Sequence, residues 1–291
     1  MAVGDKVYGS DYNAVQLIIK NVLGTGGNYG GGSYGYGRTD LITSGTVAEG
    51  NLITETQWNA LATDINVAYT HQNNTSFPGF ASITGSITWA NYLLLNTYAG
   101  NCLSNRLTAN VGQLVKDSVL ATATASFTWS TQVQAYGTVN FTDAAQCRYF
   151  FNQGGTINFE GFGPSLSGSV QDSKWKDVMD IFGYNIGYTE YQTLLTSEDP
   201  VNSVVFYMDH NTTPSIFQSP YTANYLKLLA WKPTTSSIAW HVIYSDGHQA
   251  VGSGPDTVSS GIGMKVYRTR ATGAFIGVQP TATVTTNFYI F

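Results

Sequence analysis

Charge is scarce in this chain. Only 11 % of its 291 residues are Asp, Glu, Lys or Arg, well under the roughly 25 % of a typical globular protein, and Gly, Tyr, Thr, Ser and Asn fill the space. With a net charge of -5 and no basic run, nothing draws a phosphate backbone electrostatically, so a nucleic-acid partner is not expected. Cysteine is nearly absent: Cys102 and Cys147 show neither CxxC nor Cys-His spacing. That excludes a disulfide framework and predicts buried free thiols. No stretch approaches the roughly 20 apolar residues of a membrane span, and Met1-Ala2-Val3-Gly4-Asp5-Lys6 has no basic-then-apolar leader. The reading is a chain made in a cytosol and soluble there, in which the sequons at Asn74 and Asn211 carry no meaning.

Catalytic patterns are missing too. The four histidines are His71, His210, His241 and His248, and only Asp209-His210 and Asp246 with His248 approach ligand spacing, both in turn-like sequence. Glu160, Glu190, Glu198, Asp199 and Asp209 offer carboxylates, but nothing singles out a facing pair. No GxSxG, HExxH or Walker pattern occurs. The expectation is a protein that is not an enzyme, with no catalytic residue, no metal and no cofactor.

What is present is a repeat. Gly4-Asp5-Lys6-Val7, then Tyr12-Asn13-Ala14-Val15, is echoed by Gly50-Asn51-Leu52-Ile53, then Trp58-Asn59-Ala60-Leu61, with identical spacing. Residues 4–23 and 50–69 therefore read as two copies of a turn-and-helix unit. In the first, Ser10 is the expected cap, Tyr12, Val15, Ile19 and Val22 form the stripe over residues 11–23, and Gly24 is the expected left-handed stop. In the second, Thr54 and Gln57 have capping-box spacing, and Trp58, Leu61, Ile65 and Ala68 make the stripe over residues 55–70. Between them lies a Gly/Tyr linker, residues 24–37. It lacks the preceding strand and following Lys-Ser/Thr of a phosphate loop. Its tyrosines, Tyr29, Tyr34 and Tyr36, are expected to lie on a neighbouring chain, because glycine makes ordering the tract costly and tyrosine supplies contact area with a polar tip.

The pattern at residues 84–118 is helical but less regular, with Trp89, Tyr92, Leu93, Leu95, Asn96 and Tyr98 on one face and Leu103, Leu107, Val111, Leu114 and Val115 continuing at spacings near four. From Ser118 alternation takes over. Strands are expected over residues 133–141, 145–151, 155–162, 204–208, 225–230, 237–244, 264–268 and 283–290. A helix over residues 172–183, capped by Ser173 and stopped by Gly183, interrupts them. The fold class is α+β: a helical docking module at 1–118, then an antiparallel β-sandwich at 119–291 with a crossing helix.

Aromatics invite a glycan reading, since sugar faces stack on Trp and Tyr. Trp129, Trp175, Trp231 and Trp240 read as core, whereas Tyr184, Tyr188 and Tyr191 follow the crossing helix in a predicted loop, placed to meet glycan or protein. The N-terminal double unit with Gly35-Tyr36-Gly37, Asp64-Ile65-Asn66 and His71-Gln72 resembles virion structural proteins of tailed phages, those of cyanobacterial and marine phages above all. Residues 145–157 and 238–246 are similar to the same proteins. The resemblance implies a virion component, tail, baseplate or fibre-like, made in the host cytoplasm, a homo-oligomer bound to other virion proteins. The chain lacks a fibre's long repetitive shaft. Tyr12, Asn13, Trp58 and Asn59 join the Gly/Tyr tract as candidate docking residues, against the alternative that Tyr12 and Trp58 only fill the helical core. A carbohydrate-binding adhesin or tailspike on host-surface glycan, or a head or neck decoration protein, is the alternative.

Overall fold

A computed structural model describes residues 6–26, 35–164, 169–199, 201–208, 217, 219–248, 257–275 and 287–290. The chain is α+β, as expected. Its helices are α1 Gly9–Leu23, α2 Glu55–Asn73, α3 Trp89–Ser104, α4 Ala144–Asn152, α5 Val170–Ile181 and α6 Tyr188–Thr193. Its strands are β1 Leu114–Lys116, β2 Ala121–Thr124, β3 Gln132–Asn140, β4 Thr156–Phe162, β5 Gly183–Ile186, β6 Val204–Met208, β7 Tyr225–Thr234, β8 Ser237–Ser245, β9 Gly263–Ala271 and β10 Asn287–Ile290. Two compact units result. The helical one takes the chain up to Val115 and, in addition, Arg148–Gly155 and the stretch from Arg270; the sheet unit takes the rest. The contiguous boundary expected near 118 is therefore not how the chain divides.

In the helical unit three helices start alike. The N-cap backbone N–H donates to the side chain three residues on: Tyr8 to Asp11 Oδ2 at 2.9 Å, Thr54 to Gln57 Oε1 at 2.9 Å, Thr88 to Asn91 Oδ1 at 2.8 Å. This satisfies a backbone donor outside the helix ladder. Partly buried Val7, Ile53 and Ile87 precede the caps, and Tyr12, Trp58 and Tyr92 follow four residues after them, the apolar pair that fixes the chain's entry into a helix. Counting from the cap, the seventh, eleventh and fourteenth positions are all buried: Val15, Ile19, Val22; Leu61, Ile65, Ala68; Leu95, Ala99, Cys102. Each large aliphatic side chain so buried contributes about 1.5–3 kcal/mol. α1 starts before Ser10, with Tyr8 at the cap position, and Gly24 at φ -85° is not left-handed. Asn74, at φ 59°, closes α2 instead.

The expected strand at 145–151 is α4. Asp143 Oδ1 accepts the Gln146 N–H at 2.8 Å, which starts a helix, and Cys147, Phe150 and Phe151 are buried at helical spacing. Alternating apolar letters over so short a run fit either period, and the cap decides. The cap of α5 lies four residues earlier than expected, because Ser169 Oγ, not Ser173, accepts the Asp172 N–H at 3.0 Å.

The sheet unit has two antiparallel five-stranded sheets, β1-β9-β4-β5 with β2 also on β9, and β10-β3-β8-β7-β6. Phe159 of β4 meets Trp240 of β8 edge-on, ring centroids 5.9 Å apart, so the sheets face one another through fully buried aromatics. α5 packs in with Trp175, edge-on to Trp129 at 5.3 Å and Phe217 at 4.9 Å. Of the strand expected at 283–290, β10 accounts for residues 287–290, and 283–286 lie outside the described residues.

Candidate docking site

The residues marked for docking point inward. Tyr12 and Trp58 are fully buried, ring centroids 6.0 Å apart and tilted by 40°. The Tyr12 hydroxyl donates to Gln57 O at 3.0 Å, and burial, with the Asp64 charge second, pushes its pKa up to about 12. Both aromatics fill the core. Tyr36 is also core: fully buried, it lies edge-on to Phe275 at 5.2 Å and to His71 at 5.2 Å. Gln72 Nε2 donates to its hydroxyl at 2.9 Å, Gln153 Nε2 donates to its carbonyl at 2.6 Å, and Asn152 Nδ2 donates to Gly35 O at 2.9 Å. The expectation that this tyrosine waits for another chain is corrected. Tyr29 and Tyr34 lie outside the described residues.

Asn13 and Asn59 do something the sequence did not announce. Asn13 Nδ2 donates to Val47 O at 2.9 Å and Oδ1 accepts Val47 N–H at 2.8 Å. Asn59 Nδ2 donates to Ile83 O at 3.0 Å and Oδ1 accepts Ile83 N–H at 2.9 Å. Each amide imitates a peptide group and pins one residue of a strap, residues 42–47 or 77–83, laid along its helix. The first strap is held further by Gln16 Nε2, donating to Ser44 O at 3.1 Å, and by Asp64. That carboxylate is fully buried and accepts from Thr43 N–H at 3.0 Å and Ser44 N–H at 2.9 Å. Under the second strap the place of Gln16 is taken by Ala62. A cavity of about 290 Å³ opens there, lined by Ala62, Ile83, Asn91 and Leu94 among others.

The third helix is a third copy that the sequence reading passed over. Its signal, Ile87-Thr88 with Asn91-Tyr92, was present. Leu93 stands where the other copies have Asn, and no strap lies on it among the described residues; Leu93 is 47 % exposed.

In the sheet unit Tyr184 lies on β5, and Tyr188 and Tyr191 on α6, not in a loop. Tyr184 and Tyr188 are half-buried, and Tyr191 is buried with the Lys232 ammonium 4.5 Å from its ring centroid. Tyr184 borders a small cleft of 90 Å³ with Glu190, Thr193 and Asn202. A buried polar group centres on His241 of β8: Nδ1 lies 2.6 Å from Glu198 Oε1, Nε2 lies 3.0 Å from Gln134 Oε1, and the ring stacks on Tyr136 at 4.0 Å. Burial lowers the His241 pKa, opposed by the hydrogen bond to Glu198. With both ring nitrogens engaged, it clasps the Glu198 segment to the sheet. Burial likewise pushes the free thiols up, Cys102 to about 12 and Cys147 to about 11.

Among the described residues no group of three or more His, Cys, Asp or Glu is placed to hold a metal ion, and no helix is long and apolar enough to cross a membrane. Comparison with protein-family models, with curated proteins and with solved structures finds no match to this chain.

Proposed function

We propose that this chain is a non-enzymatic structural component of a phage virion, tail-associated as a baseplate, fibre or adaptor part, acting through protein–protein assembly as a homo-oligomer among other virion proteins. The observation that carries the reading is the surface. Leu52 is 89 % exposed, Val111 84 % and Tyr8 64 % in the helical unit, and Val201 80 % in the sheet unit, on a chain with only 11 % charged residues. A freely diffusing protein keeps itself apart with abundant mixed charge; a neutral surface with apolar side chains suits permanent contact. The buried ionisable side chains support this, because Asp64 and His241 are spent on holding the chain's own loops. The resemblance of the repeat to tailed-phage virion proteins supplies the particle.

Immunogold labelling of purified particles with antibodies to this chain tests the proposal. Label confined to the tail is the expected result, and a chain missing from the particles overturns it. The half-exposed Tyr184 beside its polar cleft favours one second reading, a host-surface glycan adhesin. Saturable polysaccharide binding lost on Tyr184→Ala is what that reading requires.

A further inference from the structure

Two of the three helical repeats carry a strap on the same face, and the third carries none among the described residues. Counting from the cap, the fifth and eighth positions are Asn13 and Gln16 on α1, Asn59 and Ala62 on α2, Leu93 and Asn96 on α3. On α1 those side chains bind the backbone of Val47 and Ser44. On α2 Asn59 binds Ile83, and Asn66 at the twelfth position accepts the Phe77 N–H at 3.1 Å. On α3 Leu93 is 47 % exposed, and a Cβ built on Gly100, the twelfth position, would meet nothing within 4 Å. The Asn96 amide is half-buried and makes no hydrogen bond among the described residues. α3 also has no Asp, Glu, Lys or Arg in its sixteen residues, although an outward helix face is ordinarily charged.

We infer that the Leu93-Asn96-Gly100 face of α3 receives an extended segment of a different polypeptide, laid along the helix as the two internal straps are laid along α1 and α2. The internal straps define the chemistry of the occupant. It is an uncharged stretch of small and hydroxyl residues with one branched aliphatic anchor, as in Thr43-Ser44-Gly45-Thr46-Val47 and Ala81-Ser82-Ile83. Gly100 leaves room for its backbone, Asn96 offers an amide to a peptide group as Gln16 does, and Leu93 covers the anchor. A second copy of this chain is a poor donor of such a segment, because both of its straps are already bound to its own helices. The inference stands apart from the particle reading: it needs a strap-like partner, not a virion.

The test uses the full chain, isotopically labelled, and a synthetic peptide of residues 42–48, Ile-Thr-Ser-Gly-Thr-Val-Ala, titrated to millimolar concentration. Chemical-shift changes centred on Leu93, Asn96 and Gly100 are expected, and Leu93→Arg should abolish them. Asn96→Ala should weaken binding about fivefold, the fold-change of one net hydrogen bond. Leu17→Arg, at a 42 % exposed site on α1, should leave binding as it is. Three results overturn the inference: no change on α3 with saturating peptide, changes that survive Leu93→Arg in a variant whose circular dichroism is unaltered, or a wild-type dimer that Leu93→Arg dissociates, which would make the occupant a second copy.

Discussion

Acidification should loosen the helical unit through one side chain, His71. The ring is buried between Tyr36 and Phe275, donates from Nε2 to Gln153 O at 3.2 Å, and has no partner at Nδ1 among the described residues. Burial, only partly opposed by that hydrogen bond, lowers its pKa from 6.5 to about 4. The folded chain therefore binds fewer protons than the unfolded chain between these values, so unfolding takes up a proton. Stability from the neutral ring is complete above 6.5 and is lost as pH falls toward 4. At about 1.4 kcal/mol per unit the full loss is about 3.5 kcal/mol, about 2.5 of it by pH 4.5. Urea unfolding followed by far-UV circular dichroism at pH 7.5 and 4.5, on the wild type and His71→Phe, isolates this contribution. Phe keeps the ring contacts and gives up the bond to Gln153, costing about 1 kcal/mol at neutral pH. The loss between pH 7.5 and 4.5 should be smaller by about 2.5 kcal/mol in the variant. His241, also lowered, and Asp40, lowered by Arg38, titrate equally in both proteins and cancel. Equal pH dependence in the two proteins would refute the reasoning.

How far the letters reach is clearest at the repeats. The stripes Tyr12-Val15-Ile19-Val22 and Trp58-Leu61-Ile65-Ala68 are legible because helical periodicity and an apolar core act on the same residues. The third copy escaped because its fifth position is Leu93 and its glycine precedes the cap by three residues instead of four, while its cap chemistry and buried positions repeat faithfully. Tyr36 was illegible for another reason. What fixes it comes from Asn152 and Gln153, 117 residues away from the residues they bind, and no local pattern announces such a pairing. The same distance hides the straps: an Asn after an aromatic looks like any helix residue until Val47 or Ile83 arrives beside it.

Asn13→Ala and Asn59→Ala should each destabilise the chain by about 1–3 kcal/mol, since each removes both hydrogen bonds to a strap residue. Their effects, from denaturant melts, should be additive because the two straps share no pinning residue; strong coupling would mean the straps move as one. A fragment of residues 1–118 tests the interleaving of the units. It has the three helices, both straps and every repeat signal, yet it lacks the Gln153 side chain that holds Tyr36 O, the Gln153 carbonyl that accepts from His71, and the Phe275 ring 4.2 Å from His71. Its helices should form, because their caps and stripes are internal, but Tyr36 and His71 lose their fixed surroundings, and a core that keeps apolar burial while losing such contacts loses definition first. The expected signature is retained far-UV dichroism with weak near-UV dichroism and dye binding, repaired only in the full chain. A fragment that melts as sharply as the full chain, with an equally strong near-UV signal, would show that the returning segments 148–155 and 270–275 merely rest on a module already complete without them.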